Sequence, residues 1–314
     1  MMKFVNQLSQ LQIKEKTAVT LGKFDGLHRG HKKLLNQVLR KKEEGYLATI
    51  FTFDMPPKNL LKGTHGRMIL TNEERTMLLM KYGVDILFEC PFTKEIAGME
   101  PEQFVKDILI GHMNAGYIVV GADFKFGHER SGDIYLLDRL SRKCDFKLLV
   151  LAKEQYKTRD ISSTYIREVL KEGRMELAWK LLGYPYFVTG EVVKGKQLGR
   201  VIGVPTVNQL PQENKLLPPD GVYASRTIVD GKIYKSMTNI GVRPTVEDTQ
   251  VRNLETYLFD FNEEIYGRDV QVELLSFERP EIKFASLEEL KMQLMADMCE
   301  TKMILEKFDI DNEM

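Results

Sequence analysis

The feature that most constrains the fold of this chain is a change of hydrophobic rhythm near residues 183–185. Before that point, short apolar runs alternate with amphipathic segments of helical spacing, which is typical of a parallel sheet covered by helices. After it, strand-like runs follow one another with turn residues between them, which indicates a small antiparallel barrel. The sequence therefore predicts an α/β domain over residues 1–183 and a β domain over residues 184–314.

The predicted strands of the first domain are rich in Val, Ile, Leu and Phe, as expected for strands that are buried on both faces. They are Thr17–Leu21, Leu47–Phe53, Val84–Phe88, Tyr117–Gly121 and Phe146–Leu151. The predicted helices between them are an apolar stripe at Leu34–Leu39, a helix capped by Thr71 and Glu74, Pro101–Ile110, and a stripe at Ile134–Leu140. We expect a doubly wound, Rossmann-like sheet that binds its ligand beyond the carboxyl ends of the strands.

Two short helices, Thr164–Lys171 and Met175–Leu182, are predicted before the barrel. The predicted barrel strands are Tyr186–Val193, Val222–Val229, Lys232–Met237, Leu254–Phe261 and Val270–Phe277. Asp230 and Gly231, between two of these runs, form a strong hairpin signal. The spacing of apolar residues from Ser286 to Phe308 predicts a terminal helix.

Charge and composition exclude several classes of protein. Lys and Arg total 45, as do Asp and Glu, so the net charge is zero and predicts no general attraction to nucleic acid or to an anionic membrane. No apolar run approaches the roughly 18 residues of a membrane helix, and the first residues lack an apolar signal core. We therefore expect a cytoplasmic protein. Its three cysteines fit no metal spacing, and its oligomeric state is left open.

Residues 22–31, Gly-Lys-Phe-Asp-Gly-Leu-His-Arg-Gly-His, carry the clearest chemistry. They lie between the first predicted strand and the first clear helix, where a doubly wound sheet holds phosphates. His28 and His31 can direct two imidazoles at one point, which suits the negative charge on a transferring phosphoryl group. The alternative is a glycine-rich turn that carries two surface histidines.

This segment resembles the HxGH signature of the nucleotidylyltransferase superfamily. With Phe-Asp-Gly before it, it resembles the prokaryotic-type bifunctional riboflavin kinase/FAD synthetase family. Residues 121–127, Gly-Ala-Asp-Phe-Lys-Phe-Gly, and residues 161–167, Ile-Ser-Ser-Thr-Tyr-Ile-Arg, resemble two further motifs of that family. By itself, the second of these is an ordinary helix N-cap. The resemblance extends from about Val19 to Asp297.

For the first domain, the resemblance implies transfer of AMP from ATP to FMN, with His28 and His31 stabilising the transition state. The implied nucleotide-binding residues are Gly22, Phe24, Asp25, Asp123, Ser163, Thr164 and Arg167. The implied flavin-binding residues are Phe53, Pro56 and Asp123. The chain departs from the family at residues 52–57, where Thr-Phe-Asp-Met-Pro-Pro lacks the histidine of the usual Thr-Phe-x-Pro-His-Pro run.

For the second domain, residues 199–208, Gly-Arg-Val-Ile-Gly-Val-Pro-Thr-Val-Asn, resemble the GRxxGFPTAN motif of riboflavin kinases. Without that resemblance, Gly-Val-Pro-Thr is a common strand-entry turn. The implied roles are nucleotide binding by Gly199 and Arg200, Mg²⁺ binding by Thr206 and Asn208, proton abstraction from the ribityl hydroxyl by Glu255, and flavin contact by Arg279. The chain departs from the usual motifs at Val204, Val207 and Tyr257.

Four functions follow from these observations. The leading hypothesis is an enzyme that converts riboflavin to FMN and FMN to FAD, using ATP and Mg²⁺. The second keeps only adenylyl transfer, because the barrel motif is altered. The third is a flavin- or nucleotide-binding regulator without turnover. The fourth is a nucleotidylyltransferase for another phosphate ester, which leaves the barrel unexplained.

Overall fold

The computed structural model describes residues 2–54, 66–195, 203–244 and 250–313. The chain divides into two compact units, Met1–Ser163 and Thr164–Met314. A six-stranded parallel sheet forms the first unit and a closed six-stranded barrel forms the second, which confirms the predicted fold class. The helices between residues 163 and 182 group with the barrel, whereas the boundary predicted from sequence follows residue 183 and stays a prediction.

The sheet of the first unit has the order β1-β4-β3-β2-β5-β6, with every pair parallel. Its strands are β1 Lys3–Val5, β2 Thr17–Leu21, β3 Leu47–Phe53, β4 Ile86–Cys90, β5 Ala115–Gly121 and β6 Lys147–Leu151. A small hairpin, β7 Gln155–Tyr156 and β8 Arg159–Asp160, follows. Because β3 and β5 flank β2, the strand order reverses between β2 and β5, where open α/β sheets bind their ligands.

The helices of the first unit are α1 Arg29–Arg40, α2 Asn72–Lys81, α3 Lys94–Ala97, α4 Pro101–Gln103 and α5 Ile134–Cys144. Single 3₁₀ turns are found at Leu8–Gln10, Lys41–Glu44 and His128–Arg130. Helix α4 continues as a π-helix, Phe104–His112, where the sequence predicts one regular helix. The predicted capping box is confirmed: Glu74 N–H donates to the Thr71 hydroxyl at 3.2 Å, and Thr71 N–H donates to the Glu74 carboxylate at 3.0 Å.

The fourth strand begins two residues later than the sequence predicts. Val84 N–H donates to the Leu79 carbonyl at 3.2 Å, so Val84 closes the end of α2 instead of starting β4. Strand β1 pairs with β4 but has only three residues, too few to show an apolar pattern. The limits of these two strands therefore depend on contacts with other elements, namely α2 for β4 and β4 for β1.

Helices α6 Ser163–Lys171 and α7 Met175–Leu182 precede the barrel, as predicted. The barrel is antiparallel, with the order β10-β13-β12-β11-β14-β9. Its strands and the terminal helix are β9 Tyr186–Val193, β10 Val207–Gln209, β11 Gly221–Val229, β12 Lys232–Pro244, β13 Gln250–Leu258, β14 Asp269–Pro280 and α8 Leu287–Glu313. Within the described ranges, no helix is long and apolar enough to cross a membrane.

Two turns decide the limits of the barrel strands. Asp230 and Gly231 have φ of 49° and 80°, so the predicted tight hairpin joins β11 and β12. The predicted strand that continues to Phe261 is too long, because Asp260 turns the chain with a φ of 54° and β13 ends at Leu258. Strand β10 is not among the predicted strands, and its first two residues, Val207 and Asn208, belong to the motif of residues 199–208.

Candidate active sites

The loop between β2 and α1 is held by hydrogen bonds to β3 and to the segment just before α2. Gly22 N–H donates to the Phe51 carbonyl of β3 at 3.2 Å. The buried Asp25 carboxylate accepts the backbone N–H groups of Ile69 and Leu70, at 2.9 and 3.4 Å. The structure thus gives Asp25 a role in anchoring the loop, and its predicted contact with nucleotide remains a prediction.

The same loop contains backbone strain. Phe24 and Leu27 have φ of 47° and 37°, and Gly26 between them has φ of 87°. A non-glycine residue in the left-handed region costs on the order of 1–2 kcal/mol. Both side chains are fully buried, and this burial offsets the strain. The loop is therefore held by its core contacts in one conformation, which positions the residues that follow.

His28 and His31 form a stacked pair at the start of α1. His28 is the N-cap, and its Nδ1 accepts the backbone N–H of His31 at 3.3 Å. The ring centroids are 3.7 Å apart, with an angle of 18° between the planes. Gly30 makes room for this arrangement, because a Cβ at that position would lie 3.1 Å from the His28 ring. The structure thus brings together the two histidines that the sequence singles out.

Desolvation keeps both imidazoles neutral at pH 7, although His28 is buried as a whole residue and His31 only in part. Desolvation lowers the pKa of His28 to about 4, against an ordinary value of 6.5. Desolvation also lowers the pKa of His31 well below its ordinary value, and the charge of His28 lowers it further. Because Nδ1 of neutral His28 accepts a hydrogen bond, its proton is on Nε2. The Nδ1 atom of His31 is buried and has no hydrogen-bond partner among the described residues.

We expect a histidine titration to show this neutrality. A group whose folded pKa lies below its unfolded value stabilises the fold fully only above the unfolded value, and that stability is lost as pH falls toward the folded pKa. For His28 this window runs from 6.5 down to about 4, a loss on the order of 3 kcal/mol. An NMR titration should show the imidazoles of His28 and His31 still neutral at about pH 5.5.

His28→Asn supplies the assignment for this titration, since asparagine preserves an N-cap acceptor. One of the two neutral signals should disappear in this variant. Titration of all the imidazoles near their ordinary pKa in the folded protein would contradict the prediction.

The other predicted nucleotide-binding residues are distributed over both units. The Ser163 hydroxyl donates to the Asp25 carbonyl at 2.8 Å, so Ser163 reaches the loop. Asp123 follows β5, is exposed, and pairs with Lys153 at 3.1 Å. Thr164 and Arg167 lie in α6, which belongs to the second unit. Their roles in binding phosphate stay predictions.

A cluster of cations beyond the carboxyl end of β6 was not predicted from the sequence. Arg29 and Lys33 on α1 lie 2.9 and 3.6 Å from the Glu154 carboxylate, and Lys33 also donates to the Ala152 carbonyl at 3.2 Å. Lys153 lies between Asp123 and Asp160. No motif marks these residues. The sequence did offer one indication, which is that residues 152–154 directly follow a predicted strand. Parallel strands bring their carboxyl ends to one edge of the sheet, so residues that follow a strand lie at the edge where ligands bind.

The predicted flavin side of the first unit is described only in part. Phe53 ends β3 and is half-buried, and its ring packs edge-on against Phe51 and Phe92, at centroid distances of 5.3 and 4.9 Å. Pro56 lies outside the described residues, as do Gly199 and Arg200 of the second unit. The aromatic cluster supplies an apolar surface at the end of the strand, and the predicted contact of Phe53 with flavin stays a prediction.

In the barrel, strand register unites residues that are far apart in sequence. Asn208 of β10 pairs with Glu255 of β13, which pairs with Asn239 of β12. The buried Asn253 amide donates to the Asn208 oxygen at 3.3 Å and to the Glu255 carboxylate at 3.4 Å. The Glu255 side chain is exposed. This gives a carboxylate that is oriented by an amide and accessible to a substrate.

A cavity of about 390 Å³ lies at the residues that precede Asn208 in the chain, and neither Asn208 nor Glu255 lines it. Thr206 and Val207 line it, together with Leu258 and residues 261–266. Its volume is in the range of small-molecule sites. Thr206 and Asn208 supply neutral oxygens, a donor set that fits Mg²⁺ when phosphate oxygens complete its coordination. No group of three or more acidic, histidine or cysteine side chains in the described part of the chain could hold a metal by itself.

Arg279 is held in a pair of hydrogen bonds to a buried carboxylate. Its Nε and Nη2 donate to the two oxygens of Asp297 at 2.8 and 2.6 Å, and Nη1 donates to the Pro280 carbonyl at 2.9 Å. Asp297 is 2% exposed. Arg279 therefore joins β14 to α8, and its predicted contact with flavin stays a prediction.

Gly195 gives a steric test of the barrel site. A Cβ at Gly195 would lie 2.3 Å from the Asn208 amide nitrogen, so Gly195→Ala must displace Asn208. Because small misplacements at a reacting centre cost up to about 100-fold, we expect FMN formation from riboflavin, the reaction that the family resemblance implies for the barrel, to fall by tenfold or more. FAD formation from FMN, measured on the same preparation, serves as the control and should not change. An unchanged rate of FMN formation would contradict the assignment of Asn208 to the site.

The fold and the two clusters define a class of protein: a nucleotidyl-transfer sheet and a phosphoryl-transfer barrel in one chain. Two family models match it, FAD synthetase over residues 10–165 and riboflavin kinase over residues 182–305. The chain belongs to the bifunctional riboflavin kinase/FMN adenylyltransferase family, as its relatives show. The proteins of that name from Bacillus subtilis and Escherichia coli K12 are each 35% identical to it, over 288 and 296 residues.

These alignments cover most of every chain involved. They span 90% of this chain and 90% of the Bacillus subtilis protein, and 93% of this chain and 94% of the Escherichia coli protein. A crystal structure from Streptococcus pneumoniae, described as a macrolide-efflux protein, covers 95% of this chain with a TM-score of 0.85 and 31% identity. The two-unit architecture is therefore that of a solved protein along almost its whole length.

Proposed function

We infer that this chain makes FAD in two ATP-dependent steps. The barrel phosphorylates riboflavin to FMN, and the first unit transfers AMP from a second ATP to FMN. The observation that carries this proposal is the stacked pair of neutral histidines, His28 buried and His31 partly buried, at a helix N-terminus on the ligand-binding edge of the sheet. The amide-oriented Glu255 in the barrel supports the first step.

In the adenylyl transfer, a phosphate oxygen of FMN attacks the α-phosphorus of ATP, and the bond to the β-phosphate breaks to release pyrophosphate. No side chain forms a covalent intermediate. Negative charge grows on the α-phosphate oxygens and on the leaving pyrophosphate. The Nε2–H of His28 and a ring N–H of His31 donate to these oxygens, and the N-terminus of α1 adds its positive dipole end. Neutral rings suit this task because each keeps one N–H group as a hydrogen-bond donor in a site from which water is excluded.

In the kinase reaction, Glu255 takes the proton of the ribityl 5′-hydroxyl while that oxygen attacks the γ-phosphorus of ATP. ADP leaves with the electron pair of the broken bond. Asn253 holds the Glu255 carboxylate in orientation. Thr206 and Asn208 would hold Mg²⁺, whose chemistry is to neutralise phosphate charge. We extend the proposal to a cytoplasmic enzyme that acts on small molecules and has no nucleic-acid partner.

Separation of flavins after incubation tests the proposal. Purified protein is incubated with ATP and Mg²⁺, with riboflavin in one tube and FMN in another, each with and without a reductant. We expect FAD in both tubes. FAD from FMN only would show that the changes at Val204, Val207 and Tyr257 have silenced the barrel. Absence of FAD from both would contradict the proposed enzyme and favour a binding protein.

A further inference from the structure

A larger cavity lies in the second unit, away from the site at Thr206. It has a volume of about 590 Å³ and is formed by α7, β14 and α8. It shares no lining residue with the cavity at Thr206, so the two cavities are distinct. Neither of the proposed reactions uses it.

The wall of this cavity carries two parallel aromatic rings. Trp179 of α7 and Phe308 of α8 lie 5.5 Å apart between centroids, with an angle of 12° between the planes. Both side chains are half-buried, so part of each ring surface faces the cavity. Aromatic side chains bind other planar rings by offset stacking or by edge contacts. The pair therefore offers a platform for a planar ligand.

The rim of the cavity is positively charged. Lys180 and Lys307 are exposed, and neither makes an ion pair with any residue in the described ranges. Glu176 also lines the cavity, and its carboxylate accepts the Ser276 hydroxyl at 2.6 Å. Two lysines against one carboxylate leave a net positive rim, and lysine ammonium groups bind phosphate as point charges. The Glu176 carboxylate can accept further hydrogen bonds, and a hydroxyl or a ring N–H of a ligand could donate them.

We propose that this cavity binds a planar aromatic ring that carries a phosphate. The ring packs against Trp179 and Phe308, and the phosphate is held by Lys180 and Lys307. A flavin mononucleotide and an adenine nucleotide share this chemistry, and the test distinguishes them. The proposal goes beyond the proposed reactions and does not depend on them, because it rests on the lining of the cavity alone.

Trp179 is the only tryptophan of the chain, so its fluorescence reports on this cavity directly. The full-length protein is titrated with FMN and, separately, with ADP, both without Mg²⁺. We expect saturable quenching by at least one of them. In Lys180→Glu/Lys307→Glu, two attractive charges become repulsive, so we expect affinity to fall at least about tenfold. Lys291→Glu, an exposed position of α8 outside the cavity, is the matched control and should bind like the wild type.

Because flavin bound elsewhere can also quench tryptophan, equilibrium dialysis counts the sites. For the ligand that binds here, at a concentration near the wild-type dissociation constant, the wild type should hold more ligand per chain than the double variant. The double variant should still form FAD from FMN at the wild-type rate. Binding of FMN alone identifies a flavin site, binding of ADP alone an adenine-nucleotide site, and binding of both a site for the shared chemistry. Equal binding by wild type and double variant at that concentration, or no quenching by either probe, overturns the proposal.

Discussion

Replacing His31 with alanine is expected to lower FAD formation from FMN by about 100- to 1000-fold, the usual cost of removing one donor from a developing oxyanion. The ring of His31 stacks on His28 at 3.7 Å, and its buried Nδ1 has no partner among the described residues. Its loss therefore removes a donor without breaking a hydrogen bond seen in the fold. Steady-state rates with saturating ATP, measured separately for the FMN and riboflavin reactions, supply the test.

Two comparisons make this result specific. His128→Ala changes an exposed histidine of the same unit and should leave both reactions unchanged. FMN formation from riboflavin should also survive in His31→Ala. His28→Ala is a less clean variant, because losing an N-cap costs about 1 kcal/mol of stability. Equal loss of both reactions in a folded His31→Ala protein would show that the two sites have been assigned wrongly.

Replacing Glu255 with glutamine is expected to have the opposite selectivity. FMN formation from riboflavin should fall by about 100- to 10,000-fold, the usual contribution of a general base. The amide oxygen of glutamine can still accept the Asn253 hydrogen bond, so the local structure is preserved while the proton acceptor is lost. FAD formation from FMN should remain at the wild-type rate. Product separation after incubation with riboflavin or FMN measures both reactions.

Glu191 provides the matched control for this variant. It is an exposed glutamate on barrel strand β9, and it does not line the cavity beside Thr206. Glu191→Gln should therefore leave FMN formation unchanged. If Glu255→Gln retained full kinase activity, Glu255 would be only a solvated strand residue, which is the ordinary role of an exposed glutamate.

Elements that are stabilised by residues close together in the chain could be predicted from the sequence. Thr71 and Glu74 satisfy each other's backbone groups within one turn, so their capping box needs no distant partner. Asp230 and Gly231 tolerate positive φ, so their hairpin is also encoded locally. The position of His28 at a strand-to-helix junction was likewise predictable from the alternation of apolar runs. By itself, the sequence thus determined the fold class, the order of most elements and the segment with the clearest chemistry.

Features that depend on contacts between distant residues could be seen only in the folded protein. Strand register sets Asn208 opposite Glu255, although 208 and 255 are far apart in the chain. Burial in the folded loop lowers the pKa of His28 to about 4, which no sequence pattern encodes. The partner of Arg279 is Asp297 on a helix that follows it. The physical reason is that desolvation and pairing energies depend on distance and on exclusion of water, and both arise only when separate elements pack together.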